Sequence, residues 1–211
     1  MSREAILNRV RTALGRSTGQ GIAEAPPVRL RVAEVDTETR IASMLRAVEA
    51  LAGKTYRAAT GDEARAYVSA VLDGKTAVAS NAPFLRECGI ADLAGVQSGF
   101  TDAAALRALC AAADVGITSA DYALADTGTL VLLASPAEAR LISLLPPVHI
   151  AVVPKERLLS GLDELLTILP LPAEETSSMV LITGPSRTAD IEQILVRGVH
   201  GPGEIHVVVV G

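Results

Sequence analysis

The sequence predicts an α/β fold in which helices cover both faces of a mainly parallel β-sheet. Composition gives the first indication: 49% of the 211 residues are hydrophobic but only 2% are aromatic, so Ala, Val, Leu and Ile must fill the core. Such residues suit β-branched strands packed under Ala- and Leu-rich helices. The second indication is the regular alternation of short apolar strands with amphipathic helices from Asp36 onward.

Residues 1–35 are predicted to form an N-terminal helix and a flexible arm, followed by an α/β domain over 36–211. The helix is expected over 2–14, with Ser2 as its N-cap. Glycines and the Pro26–Pro27 pair interrupt the helical pattern after it. The helix could dock on its own domain or on a partner surface, and the sequence leaves both alternatives open.

Hydrophobic periodicity assigns the elements of the domain. Helices are predicted over 37–52, 61–73, 82–88 (helix or turn), 102–113, 136–144, 155–168 and about 188–197. Strands are predicted over 54–59, 75–80, 115–119, 120–124, 129–134, 148–153, 178–183 and 205–210, with a loop over 170–177. In folds of this kind ligands bind outside the carboxyl ends of the strands, so functional residues are expected in the loops.

Charge and composition exclude several classes of function. A net charge of −5 argues against a nucleic-acid-binding face. Cys88 and Cys110 form no CxxC pair, so we expect buried thiols in a reducing compartment, with no metal and no cofactor in this chain. GxGxxG and Walker A patterns are absent. No secretion signal and no long apolar stretch is found, so a cytoplasmic location is expected.

The segment GITSADYALADTGT, over 116–129, is the first candidate for chemistry, because it places acids and hydroxyls between two apolar strands. Gly128 is expected to clear the way for Asp126 into an open cleft, where its carboxylate could act as a base or a nucleophile. Thr127, Gly128 and Thr129 are then candidate substrate contacts. A polar turn with an Asx-type hydrogen bond explains the same residues without any function.

Two further segments supply candidate binding and proton-transfer residues. Arg140 and Ser143 lie one helical turn apart in RLISLLPPVH, so both could face one anionic ligand. His149 follows in a strand, where a lone histidine is more often structural than catalytic. In GVHGPG, three glycines and a proline hold His200 at the tip of a tight loop, which suits a proton carrier, although the glycines also suit a simple turn.

The segment TGPSRTADIE favours an anion site at the start of a helix. Gly184, Ser186, Arg187 and Thr188 would present backbone N–H groups, hydroxyls and a guanidinium group to the ligand. Ordinary helix capping explains Thr188, but it does not explain an arginine beside Gly184 at the mouth. The sequence therefore predicts one cleft built around Asp126, Arg140, Arg187 and His200.

Four of these motifs, ADTGTLVL, RLISLLPPVHIAVV, TGPSRTADIE and GVHGP, resemble the LUD-domain family, specifically its lactate utilization protein C branch. The resemblance is strong over about 115–210 and weaker over 36–114. It implies a fold similar to the CoA-transferase and ribose-phosphate isomerase group, and a role in oxidising L-lactate to pyruvate with two iron–sulfur-containing partner proteins. The family usually carries Glu where this chain has Asp126, which shortens the reach of the acid.

Three functions are therefore kept. The first is a subunit of a lactate-oxidising system that binds a small carboxylate, phosphate or CoA-like anion between Arg140 and Arg187, with Asp126 and His200 as catalytic groups. The second is a non-catalytic accessory subunit that scaffolds iron–sulfur partner proteins. The third is a sugar-phosphate isomerase or CoA-transferase-like enzyme, which rests on fold analogy alone.

Overall fold

The computed structural model describes residues 2–17, 34–189 and 195–211, which fall in two units, Met1–Leu30 and Arg31–Gly211. In the first unit, helix α1 (Arg3–Ala13) begins where predicted, and the Ala5 N–H donates to the Ser2 hydroxyl at 3.3 Å. Most of the predicted flexible arm, residues 18–33, lies outside the described residues.

The second unit contains the α/β domain. In chain order its helices and strands are α2 (Thr37–Ala50), β1 (Lys54–Ala58), α3 (Gly61–Leu72), β2 (Ala77–Ala79), α4 (Pro83–Glu87), β3 (Val96–Gln97), α5 (Ala103–Ala112), β4 (Val115–Ser119), β5 (Tyr122–Leu124), β6 (Thr129–Leu133), β7 (Val148–Pro154), β8 (Leu158–Leu159), α6 (Leu162–Ile168), α7 (Pro172–Glu175), β9 (Met179–Thr183), β10 (Arg187–Ala189), β11 (Leu195–Arg197) and β12 (Glu204–Val210). Short 3₁₀ helices span Arg140–Ser143 and Lys155–Arg157.

The predicted parallel sheet is confirmed. Six parallel strands pair in the order β1-β12-β7-β4-β2-β3, so the two long apolar strands β7 and β12 lie side by side near its centre. Alternate residues of β12 enter different cores, as the two-residue period of a strand requires. Val208 packs with α3 and α4 residues, whereas Val207 and Val209 pack with α2 on the other face. Helices therefore cover both faces.

A second sheet of four strands, in the order β8-β5-β6-β9, was not predicted as a separate sheet. Its strands β5, β6 and β9 are antiparallel neighbours, and buried residues such as Leu130 and Leu132 pack in the same core as α2 and β12. The close spacing of the 120–124 and 129–134 segments was the signal for a hairpin, since parallel strands need a longer connection.

Three helix predictions were wrong in whole or in part. Residues 136–144 form only one 3₁₀ turn, and 155–168 contain the strand β8 before α6 begins at Leu162. The predicted helix over 188–197 is replaced by an antiparallel pair, β10 with β11, and residues 190–194 lie outside the described part of the chain. A backbone bond from Gly198 N to Ser186 O (3.0 Å) continues this pairing, and a bond from Ser186 N to Pro202 O (2.8 Å) joins Ser186 to the loop that follows β11.

Both cysteines are buried free thiols, as expected: Cys88 lies in the α3–α4 core and Cys110 in the small core under α5. The predicted loop over 170–177 contains the single-turn helix α7. Within the described residues, the helices are all too short or too polar to cross a membrane.

Candidate functional site

Five of the sequence-predicted site residues line one cavity of about 300 Å³ at the amino ends of β7 and β12. We call it the amino-end cavity. The predicted residues on its wall are Ser143, Gly184, Ser186, Arg187 and His200. It is also lined by His149, the second residue of β7, by Thr183 at the end of β9, and by Ile205, the second residue of β12.

Ser143 reaches this cavity because the turn that carries it lies directly on β4. A Cβ atom added to Gly116 would stand 1.9 Å from the carbonyl oxygen of Ile142, so only glycine permits this approach. The Ser143 side chain is buried, and its hydroxyl donates to the carbonyl oxygen of Arg140 at 2.9 Å. The hydroxyl oxygen keeps acceptor capacity for a ligand.

Two loops, 184–187 and 198–203, form the opposite wall and are tied together by the Ser186 backbone bonds described above. Gly184 has a φ of 77°, and a Cβ added there would come within 2.9 Å of Leu51 at the end of α2. Arg187 donates from Nη2 to the carbonyl oxygen of Leu51, and its side chain is exposed. His200 is also exposed, as the loop prediction required.

The inner wall of the cavity carries a buried, neutral imidazole. His149 is fully buried, and its Nε2 shares a hydrogen bond with the Thr118 hydroxyl at 2.8 Å. Burial, with a smaller effect of His206, lowers the pKa of His149 to about 3, so the ring is uncharged at neutral pH. Its Nδ1 has no hydrogen-bond partner among the described residues. The sequence placed this histidine in a candidate segment but favoured a structural role for it, and the structure places it on the wall of the cavity.

Asp126 does not line the amino-end cavity. It lines a different cavity of about 480 Å³ with Arg40, Ser160 and Gly161. The Asp126 carboxylate is exposed and lies against Gly161, where an added Cβ would stand 2.6 Å from Oδ2. Gly128 is needed for a different reason from the one predicted, since its φ is 67° and a Cβ there would meet the backbone N of Val48 in α2 at 2.8 Å.

A chain of hydroxyl groups connects Asp126 with the wall of the amino-end cavity. The Thr127 hydroxyl donates to Asp126 Oδ1 at 3.2 Å and lies 2.8 Å from the Thr129 hydroxyl. The Thr129 hydroxyl lies 2.9 Å from that of Thr183, which lines the cavity. Thr127 and Thr129 are thus connected to the predicted site through hydrogen bonds, without lining it themselves.

Arg140 and Thr188 also lie off the described cavity wall. Arg140 is exposed and donates from Nη1 to the Ser178 hydroxyl at 3.4 Å, and Thr188 is half-buried in β10. The structure therefore brings one guanidinium group to the cavity rather than two. Because residues 187–189 form a strand, the predicted helix N-terminus is not there to bind an anion.

Sequence reasoning missed two residues with buried polar atoms elsewhere in the domain. Arg40 lines the Asp126 cavity, donates to the Leu158 carbonyl oxygen at 2.9 Å, and has a buried Nε with no partner among the described residues. Glu138 is 4% exposed and lies in a segment predicted to be an ordinary helix. A single acid among apolar residues gives no sequence signal of burial. Three or more His, Cys, Asp or Glu residues able to hold a metal are not found together in the described ranges.

The fold and the amino-end cavity define a class of protein: an α/β protein with a parallel sheet, whose loops enclose a small cavity flanked by a cation. The chain belongs to the LUD domain family, whose sequence model matches residues 41–210.

The chain is similar to "Lactate utilization protein C" of Halalkalibacterium halodurans, with 47% identity over 94 residues, 43% of this chain and 41% of that protein. It is also similar to the protein of the same name from an Exiguobacterium species, with 42% identity over 50% of this chain and 48% of that protein.

The matched region thus spans less than half the length of these two curated relatives. Among solved structures, a DUF162 family protein from Deinococcus radiodurans has a similar fold, with a TM-score of 0.63. The similarity covers 84% of this chain and 100% of that chain at 18% sequence identity. At this identity the likeness concerns the fold alone.

Proposed function

We propose that this chain is a component of an L-lactate utilization system, in which lactate is oxidised to pyruvate, and that it binds a small anionic ligand in the amino-end cavity. Membership of the LUD domain family and similarity to two proteins named for lactate utilization support the first part. One observation carries the second part: Arg187, His200 and Ser186 lie on the wall of a single cavity.

The chemistry of this wall favours an anion of modest size. A guanidinium group has five N–H donors, and among the described residues Arg187 uses one of them, from Nη2 to the Leu51 carbonyl oxygen. The remaining donors suit a carboxylate or a phosphate oxygen. The neutral His149 adds a polar group to the inner wall without a competing charge. A volume of about 300 Å³ admits a three-carbon acid, or one end of a larger CoA-like molecule.

The proposed division of labour follows from these groups. Arg187 holds the anion, and the exposed His200 exchanges protons with the bound molecule or with water. Asp126 does not contact the ligand but is connected to the cavity by hydrogen bonds through the hydroxyls of Thr127, Thr129 and Thr183, so we assign it a positioning role. We place the iron–sulfur clusters of the oxidation in partner proteins, and the chain itself in the cytoplasm.

Ligand titration of the purified chain tests the binding site. L-Lactate, pyruvate, inorganic phosphate and CoA are titrated by calorimetry into the wild type, Arg187→Gln and Arg107→Gln, which removes an exposed arginine on α5 as a matched control. We expect one of these anions to bind, with affinity reduced about tenfold by Arg187→Gln, the order expected for one charge-assisted bond. Affinity should be unchanged by Arg107→Gln. Absence of binding to the folded wild type, or equal losses in both variants, would contradict the proposal.

Growth tests the pathway separately. A strain that lacks this chain should grow poorly on L-lactate as sole carbon source and normally on pyruvate. The wild-type chain should restore growth on lactate, and Arg187→Gln should restore it less well than Arg107→Gln. Normal growth of the deletion strain on lactate would refute the lactate assignment, whatever the binding data show.

A further inference from the structure

A second cavity lies at the opposite end of the parallel sheet, where the chain leaves β2, β4 and β7. These three strands are neighbours in the sheet. The cavity, of about 320 Å³, is lined by Ser119 at the end of β4, by Pro154 at the end of β7, and by Pro83 and Phe84 after β2. We call it the carboxyl-end cavity. Ligands of open α/β sheets commonly bind at this end, where loops from adjacent strands diverge, whereas the amino-end cavity lies at the other end of the sheet.

Glu138 is a buried acid on the wall of this cavity, held in place by hydrogen bonds. Its side chain is 4% exposed and lines the cavity, and its Oε2 accepts the Ser80 hydroxyl at 2.8 Å and the Ser119 N–H at 3.3 Å. Reciprocal backbone bonds between Ser135 and Glu138, of 3.1 and 3.2 Å, hold the turn that carries it. Its Oε1 is buried and has no partner among the described residues.

The protonation state of Glu138 determines whether its carboxyl group can donate a hydrogen bond to a ligand. Burial raises its pKa to about 8, so the carboxyl group is mostly neutral at pH 7. Because Oε2 already accepts two hydrogen bonds, the proton belongs on Oε1. A neutral Glu138 therefore presents an O–H donor that lacks an acceptor in the described structure, a cost that an oxygen atom of a ligand would relieve.

Three charged side chains, Asp121, Arg157 and Glu87, also line this cavity. Asp121 is partly buried, and its Oδ2 accepts the Leu133 N–H at 2.7 Å, which leaves Oδ1 for another donor. Arg157 is exposed at the same cavity, with its guanidinium carbon 5.5 Å from the centre of the Tyr122 ring. The cavity thus combines the hydrogen-bond donor Glu138, the cation of Arg157 and two carboxylates, Asp121 and the exposed Glu87, beside the apolar Phe84.

We propose that the carboxyl-end cavity is a binding site for a small hydroxy acid, distinct from the amino-end cavity. The carboxylate of the ligand pairs with Arg157, its hydroxyl donates to Asp121, and Glu138 donates from Oε1 to a ligand oxygen. The apolar carbon chain lies against Phe84. This proposal does not rest on the lactate assignment, because it uses other residues at the other end of the sheet.

Amide chemical shifts of the ¹⁵N-labelled full chain locate binding at either site. Glycerate is the hydroxy-acid probe, and propionate is the control that lacks the hydroxyl groups. We expect glycerate to shift the amides of Ser119, Asp121 and Glu138, and propionate, which lacks both hydroxyl groups, to bind at least about tenfold more weakly, the order for the loss of one hydrogen bond or more. Glycerate shifts that are confined to Ser186 and His200 would overturn this proposal while supporting the amino-end site.

Variants test the role of each group. Glu138→Gln keeps a donor of the same size, so glycerate affinity should stay within about threefold, whereas Glu138→Ala should lower it about tenfold. Arg157→Gln should lower it similarly, and Glu174→Gln, an exposed acid on α7, should leave it unchanged.

Equal losses in Glu138→Gln and Glu138→Ala would show that a charged carboxylate is required and would overturn the proposal. Should Glu138→Ala fail to fold, the other two variants still test the proposal. Loss of glycerate binding in Glu138→Gln would contradict it, and so would unchanged glycerate binding in Arg157→Gln. Arg187→Gln, at the amino-end cavity, should not affect glycerate binding here. If Arg187→Gln lowers glycerate affinity as much as Arg157→Gln does, the ligand binds in the amino-end cavity and the assignment is refuted.

Discussion

Gly116→Ala should destabilise the domain by forcing β4 away from the turn that carries Ser143. The added Cβ would stand 1.9 Å from the Ile142 carbonyl oxygen, 3.0 Å from its carbonyl carbon and 3.1 Å from Pro146 Cγ. Two of these atoms are backbone, and the third is in a proline ring, so none can move by a rotamer change. Overpacking of this kind costs about 3 kcal/mol, which lowers the Tm of a domain of this size by roughly 6–12 °C.

Thermal unfolding followed by circular dichroism measures this shift, with Gly201→Ala as the control. A Cβ at Gly201 would meet Ser186 Cβ at 3.4 Å, an ordinary contact, so this variant should stay within about 0.5 kcal/mol of the wild type. Displacement of Ser143 should also weaken anion binding in the amino-end cavity. A Tm for Gly116→Ala within about 2 °C of the wild type would refute the close approach on which this reasoning depends.

Three further predictions concern buried polar groups. The pKa of Glu138 is raised from 4.5 to about 8, so the folded protein loses stability as pH rises through that range. Relative to the wild type, the free energy of unfolding of Glu138→Gln in urea should therefore rise by about 1 kcal/mol per pH unit from pH 5 to 8. If the two free energies change equally with pH, this prediction is wrong. Thr118→Val removes the partner of His149 Nε2 and should cost about 1–2 kcal/mol in urea unfolding, with amino-end binding altered and carboxyl-end binding unchanged; an equal effect on both would contradict this. Tyr67→Phe removes a 2.8 Å hydrogen bond to His206 Nδ1 and should lower the free energy of unfolding by about 1 kcal/mol; no change would show that the bond contributes nothing.

The parallel sheet was predictable because its central strands are short runs rich in β-branched residues, which favour the strand conformation. The segments 148–153 (VHIAVV) and 205–210 (IHVVVV) consist mostly of valine and isoleucine, as strands buried on both faces do. The hairpin β10–β11 was not predictable in this way. Residues 188–197 have apolar spacing that suits a helix, and backbone bonds from Ser186 to the 198–203 loop favour the strand instead. Such bonds join distant segments and leave no local pattern.

The candidate site was predictable only as a set of loops. Glycine and proline identified the 184–187 and 198–203 loops, and these do meet at one cavity with Arg187 and His200. Sequence could not show that Arg140 would face Ser178, or that Asp126 would open onto a different cavity, because both depend on how the second sheet packs. Hydrophobic patterning fixes which face of an element is buried, but the direction of one exposed polar side chain depends on its tertiary neighbours.

Strand β4 explains how one sheet can support two polar sites at opposite ends. Thr118 shares a hydrogen bond with His149, and the next residue, Ser119, donates its N–H to Glu138. Successive residues of a strand point to opposite faces, but a backbone N–H lies in the plane of the sheet, so the two bonds do not compete.

His149 and Glu138 are each held neutral by burial, and each keeps one polar atom without a partner in the described structure. A domain gains no stability from such atoms, since each costs about 1–3 kcal/mol while unpaired. The ligand binding that we propose at both ends of the sheet would account for that cost.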